Sequence, residues 1–255
     1  MTFLTGDTHK ADIPTRFNHD NLKKLKHTFI KDQDYMIVVG DFGLLWTTKD
    51  QSEEWIAKYL DQKPFITLWL DGNHENFDRI YALPEVEMFG GKVGKYSDSI
   101  YHLKRGEAYT IDGKTFFVMG GGISIDRAMR KEKVTWWAEE MPSFMEYKHA
   151  METLEKHNYK FDYVLTHTAP DSVRDVLLRK AGLMVTQLNA YGEEELVPYK
   201  EKDQLSEFFQ MLLEEKPIDF KAWYFGHYHV EAELRDEDSN ASFRCLYENI
   251  VRLGE

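Results

Sequence analysis

The stretch FITLWLDGNHENFD, residues 65–78, drives an apolar run from Phe65 to Leu70 straight into Asp71, Gly72, Asn73, His74 and Glu75. A run of that length bounded by turn residues reads as a buried strand of a parallel or mixed sheet. The polar cluster then sits where the strand ends.

The same order recurs along the chain. Met1 to Thr5 runs into Gly6, Asp7, Thr8 and His9, and Tyr35 to Val39 runs into Gly40 and Asp41. Tyr163 to Leu165 meets Thr166 and His167, and Ala222 to Phe225 meets Gly226, His227, Tyr228 and His229. Ligands of open α/β sheets bind beyond the carboxyl ends of the strands, so these ends are expected to converge on one site.

Between them lie helical patterns. Asn18 to Lys31, Asp50 to Asp61 and Phe77 to Leu83 follow the first three strands, which makes βαβ units with the three strands parallel and close together. Ile100 to Leu103, Ala108 to Ile111 and Thr115 to Met119 are short β-rich pieces, the last two joined by the hairpin signal Asp112-Gly113. A second, mixed sheet is expected to begin there. Helices return at Ser143 to His157, Asp171 to Lys180 and Asp203 to Glu215. Glu231 to Arg235 and Ser242 to Arg252, around the acidic run 236–240, suggest a closing hairpin. Site residues stretch from Asp7 to His229, which favours a single catalytic domain over residues 1–255, with the weakly patterned region 181–202 a loop or cap.

Bulk properties narrow the partners. With 42% hydrophobic residues and 14% aromatics the chain can bury a sizeable core. A net charge of -12 argues against a broad nucleic-acid surface, while a small phosphate-bearing substrate stays compatible if bound metal reverses the sign locally. The lone Cys245 excludes an internal disulfide and a thiolate cage. The start MTFLTGDTHK lacks the features of a secretory leader, and no run approaches membrane-spanning length. The expected setting is the cytoplasm.

Asp7, His9, Asp41, Asn73, His74, His167, His227 and His229 form the polar set at the strand ends. Imidazoles with carboxylates and an amide oxygen suit borderline divalent ions such as manganese, iron or zinc. The set is rich enough for two metals about 3.5 to 4 Å apart, with Asp41 as the candidate bridge between them. Such a pair turns a shared water into hydroxide near neutral pH and clamps a phosphoryl group, leaving His74 to protonate the departing oxygen.

In this order, Gly6-Asp7-Thr8-His9, Gly40-Asp41, Gly72-Asn73-His74-Glu75, Thr166-His167 and Gly226-His227-Tyr228-His229 resemble the five signature motifs of the calcineurin-like metallophosphoesterases. The resemblance implies a four-layer α/β/β/α sandwich of two mixed sheets with a dinuclear centre at one edge. It implies Asp7, His9, Asp41 and His229 on one metal and Asp41, Asn73, His167 and His227 on the other, with Asn73 and His74 touching the phosphoryl group. Asp41 is followed by Phe42-Gly43-Leu44-Leu45-Trp46, without the further Asp and Arg of the protein phosphatase branch. Lys10 stands where the family often has glycine.

The segment 119–143 carries three glycines, Arg127, Arg130 and Trp136-Trp137. Arg127 is a candidate for the missing phosphate-gripping guanidinium, and Gly120 to Gly122 for a close backbone approach to the site. Glu139 and Glu140 read as a solvated face, and the Trp pair as core or as a stacking platform. The expected activity is hydrolysis of a small phosphomonoester, phosphodiester or nucleotide. A non-catalytic scaffold of the same fold and a nuclease are the alternatives.

Overall fold

A computed structural model describes residues 1–47, 51–198, 203–235 and 241–254. Asp50, residues 199–202 of the suggested loop or cap, and the acidic run 236–240 lie outside the described residues.

In chain order the elements are β1 (Thr2–Thr5), α1 (Ile13–Arg16), α2 (His19–Lys24), β2 (Tyr35–Val39), α3 (Gln51–Asp61), β3 (Ile66–Leu70) and α4 (Phe77–Tyr81). Next come β4 (Glu85–Met88), β5 (Gly91–Lys95), β6 (Ile100–Leu103), β7 (Glu107–Ile111), β8 (Lys114–Met119), α5 (Phe144–Lys156), β9 (Tyr163–Thr166) and α6 (Asp171–Ala181). The chain closes with β10 (Met184–Leu188), β11 (Glu194–Pro198), α7 (Gln204–Glu214), β12 (Ala222–Phe225), β13 (Ala232–Arg235), β14 (Ser242–Cys245) and β15 (Val251–Arg252).

Among the described residues the strands form a seven-stranded sheet, β15-β1-β2-β3-β6-β5-β4, a six-stranded sheet, β13-β14-β12-β9-β8-β7, and the separate hairpin β10-β11. As expected, β1, β2 and β3 are parallel neighbours. Alternation along each strand builds the layers, because successive side chains point to opposite faces. Leu4, Ile37, Val39, Leu68 and Leu70 of the first sheet pack on Tyr109, Phe116, Val118, Leu165 and Tyr224 of the second. Their neighbours Phe3, Met36, Val38 and Trp69 turn outward onto Ile13, Phe17, Ile56 and Leu60 of α1 and α3 and the segments beside them. On the far side Phe117, Val164, Trp223 and Phe225 meet α5, α6 and α7 through Leu154, Leu177 and Phe209. The result is the α/β/β/α order, and β3, buried at every position, explains its unbroken apolar run.

The structure departs from the sequence expectation in four places. Ile100 to Leu103 is β6 and pairs with β3 in the first sheet, so the second sheet begins only at β7. The antiparallel hairpin β4-β5, which the sequence pattern missed, returns the chain to that edge. The helix expected over 18–31 ends at Lys24, and Lys26 takes a left-handed φ of 52° that stops it. The tail does close β13 against β14, yet β15 crosses back to pair with β1. In the region suggested as a loop or cap, β10 and β11 form a hairpin with mostly exposed side chains. The Asp112-Gly113 turn behaves as read, with both residues at positive φ joining β7 to β8.

Candidate metal centre

The carboxyl ends of β1, β2, β3, β9 and β12 come together at one edge of the sandwich. Beyond the strands the backbone continues to pair: His9 N–H donates to Asp41 O at 2.8 Å and Gly226 N–H to His167 O at 3.0 Å. Glycines make the packing possible. A Cβ on Gly40, which sits at φ 90°, would lie 2.0 Å from His167 Nδ1, and one on Gly72 would lie 2.1 Å from Asp41 Oδ1. Each strand end thus leaves room for a side chain from another. Five of the polar residues, Asp7, His9, Asp41, His227 and His229, hold left-handed backbone with φ between 43° and 73°. For residues other than glycine this costs roughly 1 kcal/mol or more apiece.

Backbone donors fix the two carboxylates. His227 N–H reaches both oxygens of Asp7, at 3.1 and 3.0 Å, and His74 N–H reaches Asp41 Oδ1 at 2.8 Å. His167 donates from Nδ1 to Val39 O at 2.9 Å, which turns its Nε2 towards Asn73 Oδ1 at 3.2 Å and Asp41 Oδ1 at 3.5 Å. Asn73 donates to Ser124 Oγ at 3.0 Å, and Ser124 in turn donates to Glu140 at 2.6 Å. Asn73 Oδ1 is thereby left facing two imidazoles, those of His167 and of His227 at 3.0 Å. On the outer side His9 Nε2 and His229 Nε2 face each other at 3.1 Å, with Asp7 Oδ1 3.6 Å from His229.

Ligand atoms of Asp7, His9 and His229 cluster tightly, as do those of Asp7, Asp41 and His167. Lone pairs aimed at one another repel unless a cation sits among them, so the donor set fits divalent metal. Asp7 belongs to both groups, and Asp41, in the second, lies 3.9 Å from His9 Nε2 of the first and 3.5 Å from His167 Nε2. Titration behaviour of the protein without metal points the same way. Burial raises the Asp7 carboxyl to about 8, with Asp41 adding to the rise against the pull of His167. Burial disfavours the charged His167, but Asp41 beside it prevails and raises it to about 9.

His74 stands at the mouth, its ring stacked on Trp46 at 4.3 Å and 17° and its Nε2 4.0 Å from Asp41 Oδ2. Burial, reinforced by Arg130 and His9, pushes it down to about 4. At neutral pH it is an uncharged N–H donor without the extra proton that a general acid carries. Glu75, the last residue of its motif, is buried and accepts from Phe42 and Gly43 N–H, tying the third strand end to the second. Burial raises its carboxyl well above the usual range.

All eight polar residues named from the sequence lie in this cluster. Arg127 is on an exposed 3-10 turn and does not line the cavity above the centre. Arg130, three residues on, lies over Trp46 at 5.4 Å and is gripped at two nitrogens by Asp126. Gly122 approaches His167 and His227 closely, as expected of that glycine run. Glu140 is buried beneath Asn73 rather than on a solvated face, because Ser124 N–H and Oγ–H both need its carboxylate. Trp137 is core and donates to Asp78 at 3.0 Å. Trp46, Ser124 and Glu140 escaped the sequence reading; only the position of Trp46 after the second motif gave a hint.

An α/β/β/α sandwich with carboxylates and imidazoles gathered at its strand ends defines a class of metal-centred hydrolases. The chain belongs to the calcineurin-like phosphoesterase family, whose pattern it matches over residues 2–231. No curated protein matches it significantly. Solved structures resembling it include a candidate 5′-nucleotidase from Staphylococcus aureus, at 15% identity and TM-score 0.48 over 98% of this chain and 49% of that one. A second is the phosphopantetheinyl hydrolase of Mycobacterium tuberculosis, at 12% identity and TM-score 0.45 over 96% and 89%. The chain spans about half the length of the first of these. Among the described residues no helix is long and apolar enough to cross a membrane.

Proposed function

We propose that this protein is a two-metal phosphoesterase acting on a small phosphate ester or nucleotide. The convergence of eight donor and hydrogen-bonding side chains from five strand ends, with Asp7 common to two ligand groups and Asp41 within 4 Å of imidazoles in both, carries the reading. When bound, manganese, iron or zinc would supply Lewis acidity that acidifies water and offsets charge on the phosphoryl oxygens. Asp7, His9, Asp41 and His229 would hold one ion, and Asp41, Asn73, His167 and His227 the other. Val39 O and Ser124 Oγ orient His167 and Asn73, as partners behind metal ligands do. Hydrolysis exchanges the ester P–O bond for one to the oxygen of water, whose proton ends on the departing oxygen. His74, neutral and held flat on Trp46, offers an N–H to that oxygen as charge develops on it.

The test compares manganese-loaded wild type with Asp41→Asn on a chromogenic phosphodiester and its monoester. Turnover by the wild type and loss of both metal and nearly all activity in the variant is the expected result. Full activity in the variant removes the bridge, and no turnover of either ester by protein holding two metals overturns the reading.

A further inference from the structure

The cavity over the candidate metal centre has a volume of about 620 Å³, far more than a phosphoryl group fills. Asp41, Asn73, His74, His227 and His229 line it as part of the ligand cluster. The rest of its lining is largely apolar: Ile123 and Ile125, after β8, and Leu178 of α6 with Leu183, Met184 and Val185 at the start of the β10 hairpin.

Most polar groups among the remaining lining residues are engaged within the protein, while the buried Arg174 keeps its Nε without a hydrogen-bond partner among the described residues. Tyr228 OH meets Thr168 Oγ1 at 2.7 Å, Asp203 caps α7 through Leu205 N–H at 2.9 Å, and Arg174 pairs with Asp171 at 2.6 Å on its own helix. Asp126 is occupied by Arg130. What the walls offer an occupant is therefore chiefly hydrocarbon. Leu183, Val185 and Ile125 are 46%, 38% and 59% exposed, so the core does not require them there. Beside these side chains an apolar occupant loses nothing by leaving water, whereas a hydroxyl-rich one finds few partners beyond Arg174.

Resting on the phosphoesterase reading, we infer that the apolar part of the cavity seats the organic group of the substrate, an aromatic or branched aliphatic alcohol esterified to phosphate. Ile125 and the Leu183 to Val185 stretch are its specificity determinants. Because the cavity is continuous with the ligand cluster, the occupant must carry the phosphoryl group at one end and its hydrocarbon body at the other.

Phenyl and 2-naphthyl phosphates, and the methyl diesters of the same two alcohols, test this. Their leaving groups are of nearly equal acidity, so only the size of the apolar body differs. In manganese-loaded wild type the naphthyl esters are expected to show about tenfold higher kcat/KM, from the additional ring buried. Val185→Asp and Ile125→Asp, both at exposed positions in the lining, should each draw the ratio towards one. A wild-type ratio near one, or a ratio that neither variant changes, overturns the inference. Calorimetric binding of 2-naphthylphosphonate against phenylphosphonate gives a second readout that needs no turnover, and the same tenfold preference and the same loss in the variants are expected. If no ester is hydrolysed while that preference persists, the hydrolase reading falls and the apolar subsite stands. Hydrolysis with no size preference in either readout removes the subsite and keeps the hydrolase.

Discussion

Asp7 has no exposure to water and shares its surroundings with Asp41, an arrangement that demands positive charge. Without metal, protons supply it. Asp7 at about 8 and His167 at about 9 are both protonated at pH 7, yet both must shed that proton to act as ligands. Loading with manganese at pH 7 should release about two protons, and the release should fade as pH rises past both values. Calorimetry in buffers of differing ionisation enthalpy measures it; no proton release at pH 7 would contradict the burial argument. His74→Ala is expected to keep metal but to lower kcat about a hundredfold, most for poor leaving groups, on whose oxygen the most charge develops for its N–H to stabilise. Trp46→Ala should show a milder loss of kcat with metal content unchanged, since it removes the surface on which His74 and Arg130 lie but no ligand. The eight site residues were legible because each follows an apolar run that can only end at the sheet edge. Arg127 was chosen over Arg130 because two arginines three residues apart look alike until a 3-10 turn exposes one and lays the other on Trp46.

At the scale of elements, the strand that decides the fold is anchored just before its ligand. Asp71, buried at the end of β3, accepts from His102 of β6 at 3.0 Å and from Arg105 at 2.7 Å, while its carbonyl accepts from Gly121 N–H. Burial alone would raise its carboxyl, but Arg105 and His102 outweigh that and hold it at about 2. Asp71→Asn leaves the buried Arg105 with the more distant Glu146 at 3.6 Å, and should cost roughly 3 kcal/mol in denaturant unfolding. An unchanged midpoint would show the clamp to be dispensable. Parallel strands with both faces covered announced themselves through unbroken apolar runs. The hairpin β10-β11 did not, because MVTQL and EELVP lie mostly exposed and leave no alternation of the kind a half-buried strand shows. Ile100 to Leu103 was assigned to the wrong sheet for a related reason: a strand buried throughout carries no mark of which neighbour it pairs with.

For the molecule as a whole, two sheets that each bury both faces supply a framework on which an acidic chain can afford an electron-rich edge. Metal that binds the folded form alone adds about 2.7 kcal/mol per site at a hundred times its dissociation constant. For a chain of this size that is a rise in Tm of about 5 to 10 °C per site, or about 10 to 20 °C with both sites filled. Manganese should produce that rise in the wild type, a chelator should reverse it, and Asp41→Asn should show little of it in a thermal melt. The left-handed backbone at Asp7, His9, Asp41, His227 and His229 has an implication for descent. At each of these positions a glycine would sit more comfortably than the residue present. A lineage released from the proposed chemistry would be free to drift downhill, trading these side chains for robustness.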